Sequence, residues 1–190
     1  VTVKQDLRRE LRLRCKAHVD TLPDTVRALV FSRPPGAVAQ LVPEGATIAI
    51  YYPFPAEAPA LAYGRWFHER GHRIALPWFA DRSSAMQFRE WANPFDDSLL
   101  VPDPFKAFQP GADAAQLEPE VVFVPLLGFS AQGARIGQGA GHYDRWLATH
   151  APRAAIGLAW DCQLIEQLPT EPHDMPLTAV VTPTRLYGPF

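Results

Sequence analysis

Four glycines, Gly133, Gly137, Gly139 and Gly141, fall within nine residues, with Arg135 among them and Tyr143-Asp144 closing the run. Glycine reaches backbone conformations closed to other residues, so such a loop can approach a ligand closely and aim its N–H groups at it. With a helix behind it, the loop becomes an anion site, where unpaired N–H groups and the helix dipole converge. Arg135 adds a full positive charge. The chemistry this suggests is phosphate binding. Two familiar phosphate loops are excluded: the run lacks Gly-x-x-x-x-Gly-Lys-Ser/Thr, and Gly137-Gln-Gly139-Ala-Gly141-His does not space its glycines as a dinucleotide fingerprint does. A turn needing positive φ at several positions would also explain the glycines, but it would not call for an arginine inside them.

The elements around this loop follow from periodicity. The apolar run 121–129 before it reads as a buried strand, and a helix is expected near 144–149 after it. Residues 2–19 look helical: Leu7 and Leu11 recur at i, i+4 with Cys15 a turn later, while Lys4, Arg8 and Arg12 share another face. A second helix is expected from Pro23 to about Phe31, broken by Arg33-Pro-Pro-Gly36. Strands are expected at 47–52, 72–76, 154–159 and 179–182, and helices at about 59–70, capped by Gly71, and at 162–168. The alternation in 86–91 suits a half-exposed strand at the sheet edge, and 92–118 reads as a long loop framing a pocket. Strands alternating with helices predict an α/β fold: a three-layer α/β/α sandwich around a mainly parallel, Rossmann-like sheet, forming a single domain over 1–190.

Composition bounds the rest. Hydrophobic residues make up 47% and charged residues 20% of 190, ordinary for a globular chain. A net charge of −2 gives no overall footprint for nucleic acid or an anionic membrane, although Lys4, Arg8, Arg9, Arg12, Arg14 and Lys16 crowd the first sixteen residues. No apolar stretch approaches a membrane span, and no signal-peptide pattern is read. Two cysteines, Cys15 and Cys162, are too few for a disulfide framework and lack metal-type spacing. A reduced, cytoplasmic protein is expected.

Taken together these segments resemble the 5-formyltetrahydrofolate cyclo-ligase family along nearly the whole chain. The resemblance rests on Lys4-x-x-x-Arg8, on Tyr52 and Glu57, and on Val124-Pro-Leu-Leu-Gly-Phe129. It continues through Gly133-x-Arg135-Ile-Gly137-x-Gly139-x-Gly141-x-Tyr143-Asp144 to Glu171-Pro-His-Asp174. It implies ATP- and Mg²⁺-dependent closure of 5-formyltetrahydrofolate to 5,10-methenyltetrahydrofolate, with release of ADP and phosphate. The formyl oxygen would be phosphorylated and the activated carbon attacked by N10. Such chemistry asks for positioning and charge neutralisation more than for a protein nucleophile.

The resemblance also implies roles. Lys4 and Arg8 would be ATP-phosphate ligands, and Arg135 would neutralise phosphate charge, making Arg135 and Lys4 the catalytic pair. Ile136, Gly137, Gln138, Gly139, Ala140, Gly141, His142 and Tyr143 would form the nucleotide loop. Tyr52, Glu57, Phe105 and His142 would meet the folate. Asp144 and Asp174 would hold Mg²⁺, though an aspartate opening a helix can equally be its N-cap, and Asp174 can equally serve its own turn. The chain departs from the commonest family pattern at Gln138, Ala140 and His142, and at Gln109, where glutamate is frequent. The partners expected are small molecules, with no nucleic acid or membrane, and a monomer or weak homodimer. The alternatives are a non-catalytic folate or nucleotide binder, or an ATP-dependent enzyme acting on another substrate on the same fold.

Overall fold

A computed structural model describes residues 3–190, so Thr2, the first residue of the expected N-terminal helix, lies outside the described residues. The helices are α1 (Val3–Thr21), α2 (Asp24–Leu29), α3 (Gly36–Ala39), α4 (Leu61–His68) and α5 (His142–His150). The strands are β1 (Thr47–Ala49), β2 (Arg73–Trp78), β3 (Gln87–Glu90), β4 (Leu100–Pro102), β5 (Phe108–Pro110), β6 (Val121–Pro125), β7 (Gly128–Phe129), β8 (Arg135–Ile136), β9 (Ala154–Leu158), β10 (Ala179–Val181) and β11 (Leu186–Tyr187).

Seven strands form one sheet in the order β11-β10-β9-β6-β1-β2-β3. The five central strands, β10 to β2, pair in parallel, and β3 and β11 pair antiparallel at the two edges. This is the expected α/β fold with a mainly parallel sheet. The central strands are buried on both faces, as parallel sheets require. Val121 and Phe123 of β6 join one core with Ile48, Ile74, Tyr63 and Phe67. Val122 and Val124 point the other way, into a core closed by Trp146 and Leu147 of α5. Among the described residues no helix is long and apolar enough to cross a membrane.

The expected 121–129 strand is two strands. Its sheet pairing ends at Pro125, and Gly128-Phe129 turns away to form an antiparallel hairpin with Arg135-Ile136. Gly128 allows this because a Cβ there would lie 2.5 Å from Ile165 and 2.9 Å from Leu11. The expected 162–168 helix is only a 3₁₀ turn, Asp161–Gln163; beyond it Ile165 donates its N–H to the Phe129 carbonyl instead of to its own helix. The long 92–118 loop contains the β4–β5 hairpin and a 3₁₀ turn at Asp97–Leu99. β2 runs on through Pro77, where pairing with β1 has already ended at Ala75, so the missing N–H costs nothing on that side. Gly71, at φ +85°, closes α4 as anticipated.

α1 is placed by a stripe of Leu11, Cys15 and Val19, one turn apart and buried. Leu11 packs on Leu127 and Ile136, so the helix lies across the β7–β8 hairpin. The edge flanking this stripe carries Lys4, Arg8 and Arg12, the two arginines reaching the glycine loop.

Candidate functional site

A cleft of about 260 Å³ opens where the chain leaves β1, β2 and β6, between α1 and the start of α5. Lys4, Arg8, Tyr52, Glu57, Phe105, Arg135, every residue from Ile136 to Asp144, and Asp174 all line it. The residues given site roles are thus brought together, whereas Gly133, the first glycine of the run, does not line the cleft. Sequence reasoning missed Tyr51, Phe54, Phe79, Met86 and Glu171, which line the same cleft.

The glycine loop is held from α1. Arg8 Nε donates to the Gly137 carbonyl (3.0 Å), while Arg12 donates to both the carbonyl and the side-chain oxygen of Gln138, each at 3.0 Å. Gly139 sits at φ +113°, and a Cβ there would lie 3.4 Å from the Arg8 guanidinium. Ala140 is exposed and does not have positive φ. Gly141, at φ +67°, is the N-cap of α5, which begins at His142; Asp144 therefore stands in the first turn and does not cap the helix. Its carboxylate accepts instead from Arg135 Nη2 (2.7 Å) and the Met175 N–H (3.1 Å). The opening N–H groups of α5 face the loop with no side-chain cap.

Arg135 is fixed by β8 and almost completely buried. Desolvation lowers its pKa, opposed by the charge of Asp144. Its Nε is buried with no partner. Lys4 Nζ lies 2.7 Å from both Glu171 and Asp174. Burial pulls the ammonium pKa down, but the hydrogen bonds and charges of the two carboxylates outweigh it, and the net direction is up. Asp174 also accepts from the Glu171 N–H at 2.7 Å, so it serves its own turn as well as Lys4. Desolvation raises the Asp174 carboxyl, and Lys4, together with the Glu171 N–H and the charge of His173, outweighs it, leaving it below the ordinary value. Glu171, His173 and Asp174 offer ligand atoms within 4.8 Å of one another.

At the other end, Glu57 accepts from the Phe54 N–H (2.9 Å) and from the Gln138 amide (3.3 Å). Burial is the largest influence and pushes its carboxyl above the ordinary value, although both hydrogen bonds favour the charged form. Tyr52 stacks at an angle on Phe108 (5.0 Å) and its hydroxyl reaches Asp97 (3.4 Å). His142, Phe79 and Phe105 make a three-ring wall with centroids 4.8–5.2 Å apart. Burial, then the charge of Arg145, lowers the His142 pKa. Phe79 is fixed by Gln109, whose buried amide accepts from its N–H (2.9 Å) and donates to its carbonyl (3.1 Å). The Tyr143 hydroxyl is buried with no partner, and desolvation raises its pKa.

One end of the cleft therefore sets cations paired with carboxylates beside backbone amides, and the other is apolar and aromatic with one carboxylate. The profile of the 5-formyltetrahydrofolate cyclo-ligase family matches residues 2–183. The chain is 33% identical to the 5-formyltetrahydrofolate cyclo-ligase of Escherichia coli K12 over 74% of its length and 80% of that protein's. It is 30% identical to the enzyme of the same name from Mycolicibacterium smegmatis, covering 87% and 88% of the two chains. The solved structure of Aquifex aeolicus 5,10-methenyltetrahydrofolate synthetase superposes with a TM-score of 0.74, over 99% of this chain and 93% of that one, at 22% identity.

Proposed function

Because this chain belongs to the 5-formyltetrahydrofolate cyclo-ligase family, and so is a ligase acting on small molecules, we propose that its cleft closes 5-formyltetrahydrofolate to 5,10-methenyltetrahydrofolate at the expense of ATP. The observation that carries this reading is the single cleft in which Lys4, Arg8, Arg135 and the glycine loop face Glu57 and the aromatic wall. ATP phosphates lie along Gly137, Gly139 and Gly141 at the open N-terminus of α5, where backbone N–H groups and the helix dipole favour anions. The pterin lies between Tyr52, Phe105 and His142, with Glu57 accepting from its donor edge.

The formyl oxygen attacks the γ-phosphorus; the bond to ADP breaks, and an iminium phosphate remains. N10 then attacks the formyl carbon and gives its proton to the departing phosphate, the carbon–oxygen bond breaks, and inorganic phosphate leaves. Arg135 stabilises negative charge as the phosphoryl group moves, and Lys4 follows the transferred group once phosphate competes with Glu171 and Asp174 for its ammonium. Ile136, Gln138 and Ala140 shape the loop backbone, and Tyr143 offers its unpaired hydroxyl. The hard carboxylate oxygens of Asp144 and Asp174, close to the phosphate end, suit Mg²⁺, which keeps most of its waters. Held by these carboxylates, Mg²⁺ would supply positive charge against the phosphates. We infer as well that residues 1–190 act as one domain in the cytoplasm, as a monomer or weak homodimer.

Mixing the protein with 5-formyltetrahydrofolate, Mg²⁺ and ATP while following the methenyl-folate absorbance tests the reading. The band grows only when ATP is present. Tight folate binding without that growth would leave a non-catalytic binder; neither signal would point to another substrate.

A further inference from the structure

The segment that presents Glu57, Pro53-Phe-Pro-Ala-Glu-Ala58, is irregular, yet its backbone is pinned on both sides of the glutamate. On one side the indole Nε1–H of Trp160 donates to the Ala56 carbonyl at 3.1 Å. On the other, the Tyr51 hydroxyl donates to the Ala58 carbonyl at 2.6 Å. Both rings are buried, 1% and 3% exposed. Between them the loop closes on itself, with the Glu57 N–H on the Phe54 carbonyl and the Phe54 N–H on the Glu57 carboxylate, each at 2.9 Å.

Trp160 is itself fixed to the sheet. Its backbone N–H donates to the Gln163 side-chain oxygen (2.6 Å), and the Gln163 amide donates in turn to the Leu126 carbonyl just beyond β6 (2.7 Å). Its ring meets Phe31 and His18 at 5.6 and 5.5 Å. Phenylalanine would remove the donor and also one ring of buried volume, so the test must separate the lost hydrogen bond from lost packing. The donor spans 104 residues to reach the backbone one position before Glu57. A carboxylate that must meet a ligand in one geometry gains affinity when its loop is ordered beforehand.

We infer that Trp160 is a positioning residue for Glu57, acting through the Ala56 carbonyl, with Tyr51 as its counterpart at Ala58. This rests on the reading of Glu57 as the folate carboxylate ligand. Binding of 5-formyltetrahydrofolate and, separately, of ATP is measured by calorimetry for the wild type, Trp160→Phe, Tyr51→Phe, Glu57→Gln and Trp160→Phe combined with Glu57→Gln. Trp160→Phe weakens folate binding about fivefold, the scale of one lost hydrogen bond, and leaves ATP binding unchanged. Tyr51→Phe does the same from the other flank. In the Glu57→Gln background, Trp160→Phe has no further effect, since the group it positions is already altered.

If Trp160→Phe leaves folate affinity intact while Glu57→Gln weakens it, the positioning role is overturned and the Glu57 reading survives. Equal losses of folate and ATP binding, or the same folate loss with and without Glu57, mean a packing role only. If Glu57→Gln leaves folate affinity unchanged, the Glu57 reading fails, and the inference fails with it. Should Trp160→Phe not fold, Tyr51→Phe with and without Glu57→Gln makes the same test at Ala58, and an equal folate loss in the two backgrounds overturns the positioning of Glu57 by this pinned loop.

Discussion

Arg135 and Asp144 form an ion pair of 2.7 Å in which the arginine side chain is 3% exposed and the aspartate 18%. Each neutralises the other where neither is fully solvated, and both line the proposed phosphate end of the cleft. Arg135→Ala therefore has two effects. It strands a mostly buried carboxylate, costing about 3 kcal/mol of stability, and it lowers turnover about a hundredfold or more while changing folate affinity little. Asp144→Asn differs, because the amide oxygen can still accept from Arg135 and from the Met175 N–H. It keeps the fold and raises the Mg²⁺ concentration needed for activity. Urea unfolding together with a Mg²⁺ titration of turnover checks both; an unaltered Mg²⁺ curve would reduce Asp144 to a partner of Arg135.

The glycine loop can be tested one residue at a time. Gly139→Ala forces a side chain into φ +113°, against the Arg8 guanidinium that holds the loop. The strain is about 1–2 kcal/mol, and it falls on the nucleotide site, so KM for ATP rises while KM for folate stays. Gly36→Ala is the control: a Cβ there meets nothing within 4 Å and φ is not positive. It changes stability by less than about 1 kcal/mol and neither KM. Equal effects of the two substitutions would remove the loop from nucleotide binding.

Much of this frame is legible in the sequence because its signals are local. The Leu7–Leu11–Cys15 repeat seats the helix that carries Lys4 and Arg8, and Gly71 ends α4 where a left-handed residue is needed. What was not legible depends on partners distant in sequence. The run 121–129 is apolar throughout, so its periodicity does not show Phe129 leaving the β6 pairing for Arg135. Leu164, Ile165 and Leu168 look helical in isolation, but Phe129 claims the Ile165 N–H. The apposition of Phe79 to Gln109, and of Ala56 to Trp160, has no pattern in the intervening chain. Asp144 reads as an N-cap from its position alone; Gly141 opens the helix three residues earlier.

Glu57 sets the pH dependence expected of folate binding. Burial raises its carboxyl above the ordinary glutamate range, and the charged form is the acceptor expected to meet the pterin. As pH falls, affinity is therefore lost through this raised pKa, at a higher pH than an exposed glutamate would give. Glu57→Gln removes that acid limb and weakens binding at neutral pH without changing ATP affinity. Calorimetric titrations of both proteins between pH 5 and 8 separate this from ionisation of the folate, which both would share. An identical acid limb in the variant would assign it to the ligand.

Gln109 exchanges two hydrogen bonds with the Phe79 backbone at 6% exposure, one accepted and one donated. Gln109→Glu keeps the acceptor and loses the donor: an ionised oxygen would face the Phe79 carbonyl, with little water to screen it. The expected cost at neutral pH is about 3 kcal/mol. An acid buried in this way has a folded pKa above its unfolded value. The penalty is thus present above the folded pKa and fades as pH falls through it, because the protonated acid regains a donor. Urea midpoints of the variant therefore approach those of the wild type on going from about pH 7 to about pH 5. Since Phe79 carries the wall shared by Phe105 and His142, the variant's folate affinity relative to that of the wild type at the same pH recovers over the same interval. A variant as stable as the wild type at neutral pH would show that the amide donor contributes nothing to holding Phe79.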